Sequence, residues 1–518
     1  MNPLLLVDSY KIHHTKMYPD GMTKLYSNFT PRKSRIPGIE NVVAFGLQHF
    51  IKEYFIKKFN DDFFDKDKGY IIDEYKRHCN VDTKHIEDLR DLGYLPIEIK
   101  ALDEGTLCPI GVPMLTITNT HSNFGWLVNY LETLISCMLW QPITSATLAY
   151  EYKKILGKYA QETTGSTEGV QWQAHDFSMR GMSSVESATL SAMGHLTSFT
   201  GTDTIPAIYQ LESSYNATGL IGASVPATEH SVMCMGTKES EIETFKRLLN
   251  LYPTGILSVV SDTWDLWKVC TEYLPQLKEE ILARDGKLVI RPDSGDPVDI
   301  ICGTGKPGHL DDGKGLKGTI HSWDGITLPA WQGVIEILWD TFGGTVNEQG
   351  YKVLDSHIGA IYGDSITMDR AIQICERLKT KGFASTNIVF GVGSFTYQYN
   401  TRDTFGFAMK ATYGEITYKC ACEEQQGKSF AESAEKCCVE AREIFKDPIT
   451  DDGTKKSKKG LLCVEGTSKM VAGAKMSISV ADQCSWEEEA QGLLTTVFKD
   501  GKLTREVTLD QIRERLNN

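Results

Sequence analysis

A set of polar residues recurs along this chain at a spacing that could assemble one reactive site. Asp176 and Asp203 are 27 residues apart, Asp203 and His230 again 27, His230 and Asp262 32, and Asp262 and Asp293 31. Asp293 and Asp364 are 71 apart, about two such intervals plus an insertion, and Asp364 and Gly393 are 29 apart. A strand with its returning helix takes roughly 30 residues. Each of these residues follows a short apolar run, so each falls just past a strand, on the rim where barrel enzymes assemble their chemistry. Arg180, Arg291 and Arg402 accompany them, with glycine turns at Gly363, Gly391 and Gly393. Carboxylates such as Asp262 and Asp293 suit Mg²⁺, which takes one or two carboxylates plus substrate phosphates. Arginines grip phosphate with two parallel hydrogen bonds, and glycine turns offer backbone N–H groups to a terminal phosphate. Together they suit a sugar phosphate or diphosphate. Taken singly, an Asp after a strand is also a common helix cap. Arg180 and Arg291 also fit structural ion pairs, and His230 a hydrogen-bonded core histidine. The shared rim favours function for the set.

The elements that must position these residues are legible as short β-branched runs. GILSVVSD (255–262), KLVIRPDSG (287–295), IGAIYGDS (358–365) and NIVFGVGS (387–394) read as strands covered on both faces. AHDFSMRG (174–181), FTGTDT (199–204) and ASVPATEHS (223–231) read as turns of the same kind. Residues 165–398 therefore form a parallel β/α array of barrel size. Before it, Phe45, His49, Phe50, Tyr54 and Phe55 recur at helical spacing, 97–118 alternates as a small β-rich unit, and 126–160 returns to helix. After residue 400 the barrel pattern stops. The expected division is 1–164, an α+β domain's first part; 165–398, the catalytic barrel; and 399–518, the α+β domain's second part.

Composition narrows the function. The chain has 518 residues, 54 Lys+Arg against 68 Asp+Glu and a net charge of −14. Such a surface repels a nucleic-acid backbone at long range, so no nucleic-acid partner is expected. The apolar run Leu4 to Val7 is too short for a signal-peptide core. The uncharged stretches 105–131 and 133–150 are broken by proline and polar residues, so no membrane partner is expected and the cytoplasm is the expected location. There is no H-E-x-x-H, G-x-S-x-G or complete dinucleotide fingerprint. GTGKPG at 303–308 has Ile300 where a P-loop needs glycine, and it sits in a Gly- and Lys-rich insertion, 302–330, that reads as a loop. Most of the thirteen cysteines are scattered singly and read as buried thiols. Cys420, Cys422, Cys437 and Cys438 lack the usual zinc spacing and read as an accessory segment, with a disulfide given less weight than metal.

Specific strings go further. DSYKIHHTKMYPDG (8–21), LPIEIKA (95–101), HDFSMRG (175–181), FTGTDT, SVPATEHS (224–231), SVVSD (258–262), IRPDSGDP (290–297), YGDSI (362–366), TRD (401–403) and IFKDP (444–448) occur in this order. With them the chain resembles the nicotinamide phosphoribosyltransferases, of the type II phosphoribosyltransferase family, over nearly its whole length. The resemblance implies an α/β fold: an irregular β/α barrel plus a discontinuous α+β domain built from both chain ends. It implies that nicotinamide and phosphoribosyl pyrophosphate give nicotinamide mononucleotide and pyrophosphate, coupled to ATP hydrolysis, in a head-to-tail homodimer with active sites at the interface. Phe177 would stack on the nicotinamide ring, with Tyr10 of a second subunit on its other face. Asp203 would accept from the carboxamide and repel a carboxylate. Arg180 and Arg291 would lie beside ring and phosphates, and Asp293 and Asp364 would contact the ribose hydroxyls. The Gly363 and Gly393-Ser394 turns would cradle the 5′-phosphate, and Arg402 with Lys446 would bind phosphate. Asp262 and Asp293 would hold Mg²⁺. His230 would be phosphorylated by ATP, with Glu229 orienting it.

Some positions depart from the family pattern. Ser394 and Phe395 stand where a run of glycines is familiar, and Ser178 and Met179 where glycine and tyrosine are common. The rival readings are a nicotinate phosphoribosyltransferase, which should offer a neutral or basic group at position 203, and a non-catalytic partner-binding protein on the same fold.

Overall fold

Valine and isoleucine are prominent in the runs at 255–262, 287–295, 358–365 and 387–394, and each of these four holds a strand, because side chains branched at Cβ pack well on a pleated surface. The computed structural model describes residues 1–79, 81–305, 328–363, 365–419, 437–450, 457–467 and 477–517. Asp364, most of the 302–330 insertion, Cys420 and Cys422 lie outside the described residues. We number the strands of the central sheet β1 (Ala174–Asp176), β2 (Gly201–Thr202), β3 (Thr254–Val260), β4 (Asp285–Arg291), β5 (Ile358–Tyr362) and β6 (Ile388–Val392). Their order is β2-β1-β6-β5-β4-β3, and every pairing is parallel. The segment 223–228 joins the two edges. Ala223 bridges to Gly201 of β2 and Ala227 to Ser258 of β3, both in parallel sense. This stave of single bridges closes an irregular β/α barrel.

Helices return the chain between strands. Ser184 caps Val185–His195 by accepting from Ser187 N–H, and Thr367 caps Met368–Thr380 by accepting from Arg370 N–H. Between β4 and β5 the spacing allowed two strand–helix units. The described residues hold instead the helices Pro297–Cys302 and Val334–Phe342 and an antiparallel hairpin, Gly344–Val346 with Lys352–Leu354. The hairpin pairs with itself and its first strand is exposed, so it adds no stave to the barrel sheet.

The chain divides into two units, Met1–Thr147 with Gln210–Ala217 and Asn400–Asn518, and Leu148–Tyr209 with Thr218–Tyr399. The first boundary falls inside the helix Glu132–Thr164 rather than after it. The barrel belongs to the second unit. The first holds a seven-stranded antiparallel sheet in the order Cys437–Glu443, Ala408–Lys419, Met22–Thr30, Leu115–Asn119, Ile97–Ala101, Thr495–Lys499 and Lys502–Leu503. Strands from both chain ends thus lie side by side, as in a discontinuous α+β domain. The aromatic stretch after Phe45 is helical, largely as π-helix over Ile51–Lys58 and Asn60–Phe64, and buries Phe50, Phe55, Phe59 and Phe63. Among the described residues no helix is long and apolar enough to cross a membrane. Cys438 is disulfide-bonded, where the spacing had favoured other states.

Candidate active site

Parallel strands end together, so whatever follows them shares one rim. Asp176 ends β1 and Asp203 follows β2; Glu229 and His230 follow the 223–228 stave, and Asp262 follows β3. Arg291 ends β4 with Asp293 just beyond, and Gly363 and Gly393 follow β5 and β6. A cavity of about 950 Å³ opens here, lined by Phe177, Arg180, Asp203, Glu229, His230, Arg291, Asp293, Gly363, Gly393 and Ser394, with Met179, Val185, Ile366 and Phe395 as its apolar walls. Its floor is aromatic. Phe177 lies so close to β6 that a Cβ on Gly391 would stand 2.6 Å from its Cδ2 and 2.8 Å from Gly363 Cα. The Arg291 guanidinium sits 5.8 Å from the Phe177 ring centre, within cation–π range.

The aspartates at this rim do different work. Asp176 is fully buried and faces away from the cavity, since neighbours on a strand alternate. Its carboxylate accepts from the Ser178 N–H (3.0 Å) and hydroxyl (2.6 Å), and from Thr202 Oγ1 (2.8 Å) and Thr204 Oγ1 (2.7 Å). It ties the ends of β1 and β2 together, and Ser178 gains a structural role. Asp203 does face the cavity. Its Oδ1 lies 2.9 Å from His175 Nε2 and accepts from the Ser224 hydroxyl. Burial alone would raise this carboxyl. Those two hydrogen bonds, with the charges of His175 and Arg291, outweigh it and hold the group below the usual aspartate value. Attention to the carboxylates passed over His175 and Ser224. The signal was alternation: His175 shares a strand face with Phe177, and their ring centres are 4.7 Å apart.

His230 begins the helix His230–Met235, with Glu229 at its N-cap. The carboxylate nearest its ring is Asp262, whose Oδ1 is 3.4 Å from Nε2. Glu229 instead accepts from the Ser231 hydroxyl. Asp262 is only 4% exposed. Its Oδ2 accepts from Asp293 N–H (2.9 Å) and the Ser294 hydroxyl (2.6 Å), while Oδ1 is buried without a hydrogen bond. A buried carboxylate oxygen lacking a donor is chemically suited to a hard cation. No cluster of three or more His, Cys, Asp or Glu ligands exists among the described residues. As hard oxygen donors, Asp262 and Asp293 fit Mg²⁺, an ion bound by one or two carboxylates together with a ligand's phosphates.

Arg180 and Arg291 make no salt bridge with any described carboxylate, so both guanidinium charges are open to an anion. Ser394 packs against Gly181, where an added Cβ would stand 2.1 Å from its hydroxyl. That contact accommodates the departure from glycine. The remaining sequence candidates belong to the other unit. Arg402 pairs with its neighbour Asp403 at 3.3 Å. Desolvation, then the charges of Arg32, Lys446 and Arg402, push the Lys410 ammonium below its ordinary value against the opposing charge of Glu132. The charges of Arg32, Arg402 and Lys446 all act on Lys410, and neither Arg32 nor Lys410 was singled out by motif. Tyr10 is exposed in the short helix Ser9–Lys16.

The chain is similar to known proteins over its whole length. A model of the nicotinate phosphoribosyltransferase family matches residues 172–438, and a model of the nicotinamide phosphoribosyltransferase N-terminal domain matches 2–99. The chain is 47% identical over 535 residues to a nicotinamide phosphoribosyltransferase of Acinetobacter baylyi, covering 100% of this chain and 97% of that one. It is 39% identical over 431 residues to one of Mycoplasma pneumoniae, covering 79% and 88%. Among solved structures, a nicotinate-nucleotide pyrophosphorylase of Pyrococcus furiosus superimposes with a TM-score of 0.52 at 14% identity, covering 99% of this chain and 95% of that one. Human nicotinic acid phosphoribosyltransferase does so with a TM-score of 0.52 at 13% identity, covering 98% and 92%. At those identities the likeness is one of fold.

Proposed function

The chain belongs to the nicotinamide phosphoribosyltransferases of the nicotinate phosphoribosyltransferase family, and from that premise we propose how its residues carry the reaction. It is a pentosyltransferase of NAD biosynthesis, joining nicotinamide to phosphoribosyl pyrophosphate to give nicotinamide mononucleotide and pyrophosphate. The ring nitrogen of nicotinamide forms the new bond to the ribose anomeric carbon. The bond from that carbon to pyrophosphate breaks, and its electron pair leaves with the diphosphate. The transition state is oxocarbenium-like, so catalysis rests on positioning and on stabilising the leaving charge.

In this reading Phe177 stacks on the base and Asp203 accepts from its carboxamide. An acceptor-only carboxylate there repels the carboxylate of nicotinate, which disfavours the rival substrate. Arg180 and Arg291 stabilise the leaving diphosphate. Asp293 and Asp364 hold the ribose hydroxyls, and the Gly363 and Gly393-Ser394 turns receive the 5′-phosphate. Asp262 and Asp293 would hold Mg²⁺, directly or through water, and the ion would neutralise diphosphate charge. ATP phosphorylates His230, which lies 3.4 Å from Asp262 and adjoins Glu229, ADP leaves, and phospho-His230 preorganises the diphosphate site. The protein acts as a cytoplasmic homodimer in which a second copy supplies Tyr10, with Arg402 and Lys446 as phosphate ligands.

The observation that carries this reading is the cavity itself. Two arginines without a carboxylate partner among the described residues line one cavity with a fixed aromatic ring and an ionised aspartate. Purified protein with phosphoribosyl pyrophosphate, Mg²⁺ and equal nicotinamide and nicotinate should form the amide mononucleotide. Preference for nicotinate would overturn the reading.

A further inference from the structure

The carboxylate expected to read the amide is itself held by two donors, and both bind the same oxygen. His175 Nε2 is 2.9 Å from Asp203 Oδ1, and the Ser224 hydroxyl donates to that oxygen as well. An ionised carboxylate only accepts, so Nε2 carries the hydrogen. No described group donates to Oδ2, which leaves it for a ligand. The ring is closely held. It is only 12% exposed, it lies 4.7 Å from the Phe177 ring centre, and a Cβ on Gly201 would stand 2.7 Å from its Nδ1. His175 and Gly201 are register partners of β1 and β2, so the strand pairing sets this contact. Asp203, by contrast, is 47% exposed. Both donors meet the same oxygen, so besides stabilising the anion they fix which oxygen is left to a ligand.

We propose that His175 and Ser224 are positioning residues for base selection: they clamp Oδ1 of Asp203 so that Oδ2 faces the ligand as a pure acceptor, favouring a carboxamide over a carboxylate. This rests on the nicotinamide reading and deepens it. The same histidine lies against Phe177, so one side chain aligns both the stacking ring and the group that reads the amide. The charges that act on Asp203 are chiefly those of His175 and Arg291, and Arg180, Glu229, His230 and Asp293 line the same cavity. Losing the His175 donor raises the Asp203 carboxyl, so the acid limb of nicotinamide use moves to higher pH.

The test compares wild type with His175→Phe, His175→Gln and Ser224→Ala, measuring kcat and KM for nicotinamide and for nicotinate from pH 4 to 8. Phenylalanine keeps a ring beside Phe177 but has no donor. Glutamine places an amide N–H near the position of Nε2. For His175→Phe we expect the nicotinamide KM to rise about tenfold, with a smaller change in kcat, a narrower amide-to-acid ratio of kcat/KM, and the acid limb displaced upward; the size follows from losing one hydrogen bond to a charged group. His175→Gln should recover most of the ratio, and Ser224→Ala should shift KM and ratio in the same direction by less. The inference is overturned if His175→Phe keeps the wild-type ratio and acid limb, or if glutamine is no better than phenylalanine. It is also overturned if His175→Phe does not fold and Ser224→Ala leaves ratio and limb unmoved. A wild-type enzyme that itself prefers nicotinate would overturn the underlying reading instead.

Discussion

Gly391→Ala tests the architecture of the cavity floor most directly. The added methyl would stand 2.6 Å and 2.7 Å from Phe177 Cδ2 and Cε2, and 2.8 Å from Gly363 Cα. Carbon atoms rest at about 3.5–4.0 Å, so Phe177 or the backbone of β5 must retreat by about 1 Å. The ring is the softer element. Its backbone is fixed by the bond from Phe177 N–H to the Val392 carbonyl at 2.9 Å, so the side chain must swing into the cavity. Overpacking of this kind costs about 1–3 kcal/mol of stability. A reacting base misplaced by about 1 Å loses on the order of 100-fold in rate. We expect a folded protein with a lower Tm and a kcat/KM for nicotinamide reduced about 100-fold. The assay is steady-state formation of nicotinamide mononucleotide alongside a thermal melt. A folded Gly391→Ala enzyme within threefold of wild-type kcat/KM would refute the stacking role of Phe177.

Other perturbations have distinct signatures. His230→Ala should abolish stimulation by ATP while leaving slow synthesis, measured as product formed with and without ATP; undiminished stimulation would remove His230 from the coupling step. Burial, with the nearby charge of Asp265, pushes the Glu241 carboxyl up to about 7. Its folded-state value is raised, so its unfavourable contribution grows as pH climbs from the ordinary carboxyl range through 7 and then levels off. Glu241→Gln should therefore raise the Tm more at pH 8 than at pH 5, and an equal change at both would contradict this. Gly157 lies within the helix Glu132–Thr164, where an added Cβ meets only Thr167 Cγ2 at 3.9 Å. Gly157→Ala should stabilise by about 0.5–1 kcal/mol in a denaturant titration.

Much of this was legible because periodicity and β-branching act locally. The four longer barrel strands stood out as continuous Val/Ile runs, and the interval between polar residues reported one strand–helix unit. What was not legible depended on partners distant in sequence. The closing stave at 223–228 contains Pro226 and bonds through isolated bridges, so no strand pattern marks it. The hairpin after residue 343 lies in the interval where the spacing allowed a second strand–helix unit, and spacing alone could not separate the two. Asp176 resembled the other rim aspartates, yet its donors Thr202 and Thr204 lie one unit further along the chain. His175 was available from strand alternation with Phe177, but only once β1 was known to begin at Ala174.

A chain with a net charge of −14 holds a cationic site because three of its rim carboxylates are occupied by donors other than arginine. Asp176 takes two threonines and Ser178, Asp203 takes His175 and Ser224, and Asp262 takes Ser294 and a backbone N–H. None of these three is salt-bridged to an arginine. Had Arg180 or Arg291 paired with one of them, its charge would be cancelled locally and the rim would attract a phosphate no better than the surface around it. Hydroxyls, a backbone amide and the His175 ring satisfy these carboxylates' lone pairs without engaging an arginine. The guanidinium groups are left for the ligand, and their field acts across a cavity walled by Met179, Val185, Ile366 and Phe395, where screening is weaker than in bulk water. The same division explains why Asp203 stays ionised in partial burial. Its two donors and the nearby Arg291 charge stabilise the anion without neutralising the arginine, so one carboxylate reads the base while the cation beside it remains available to the diphosphate.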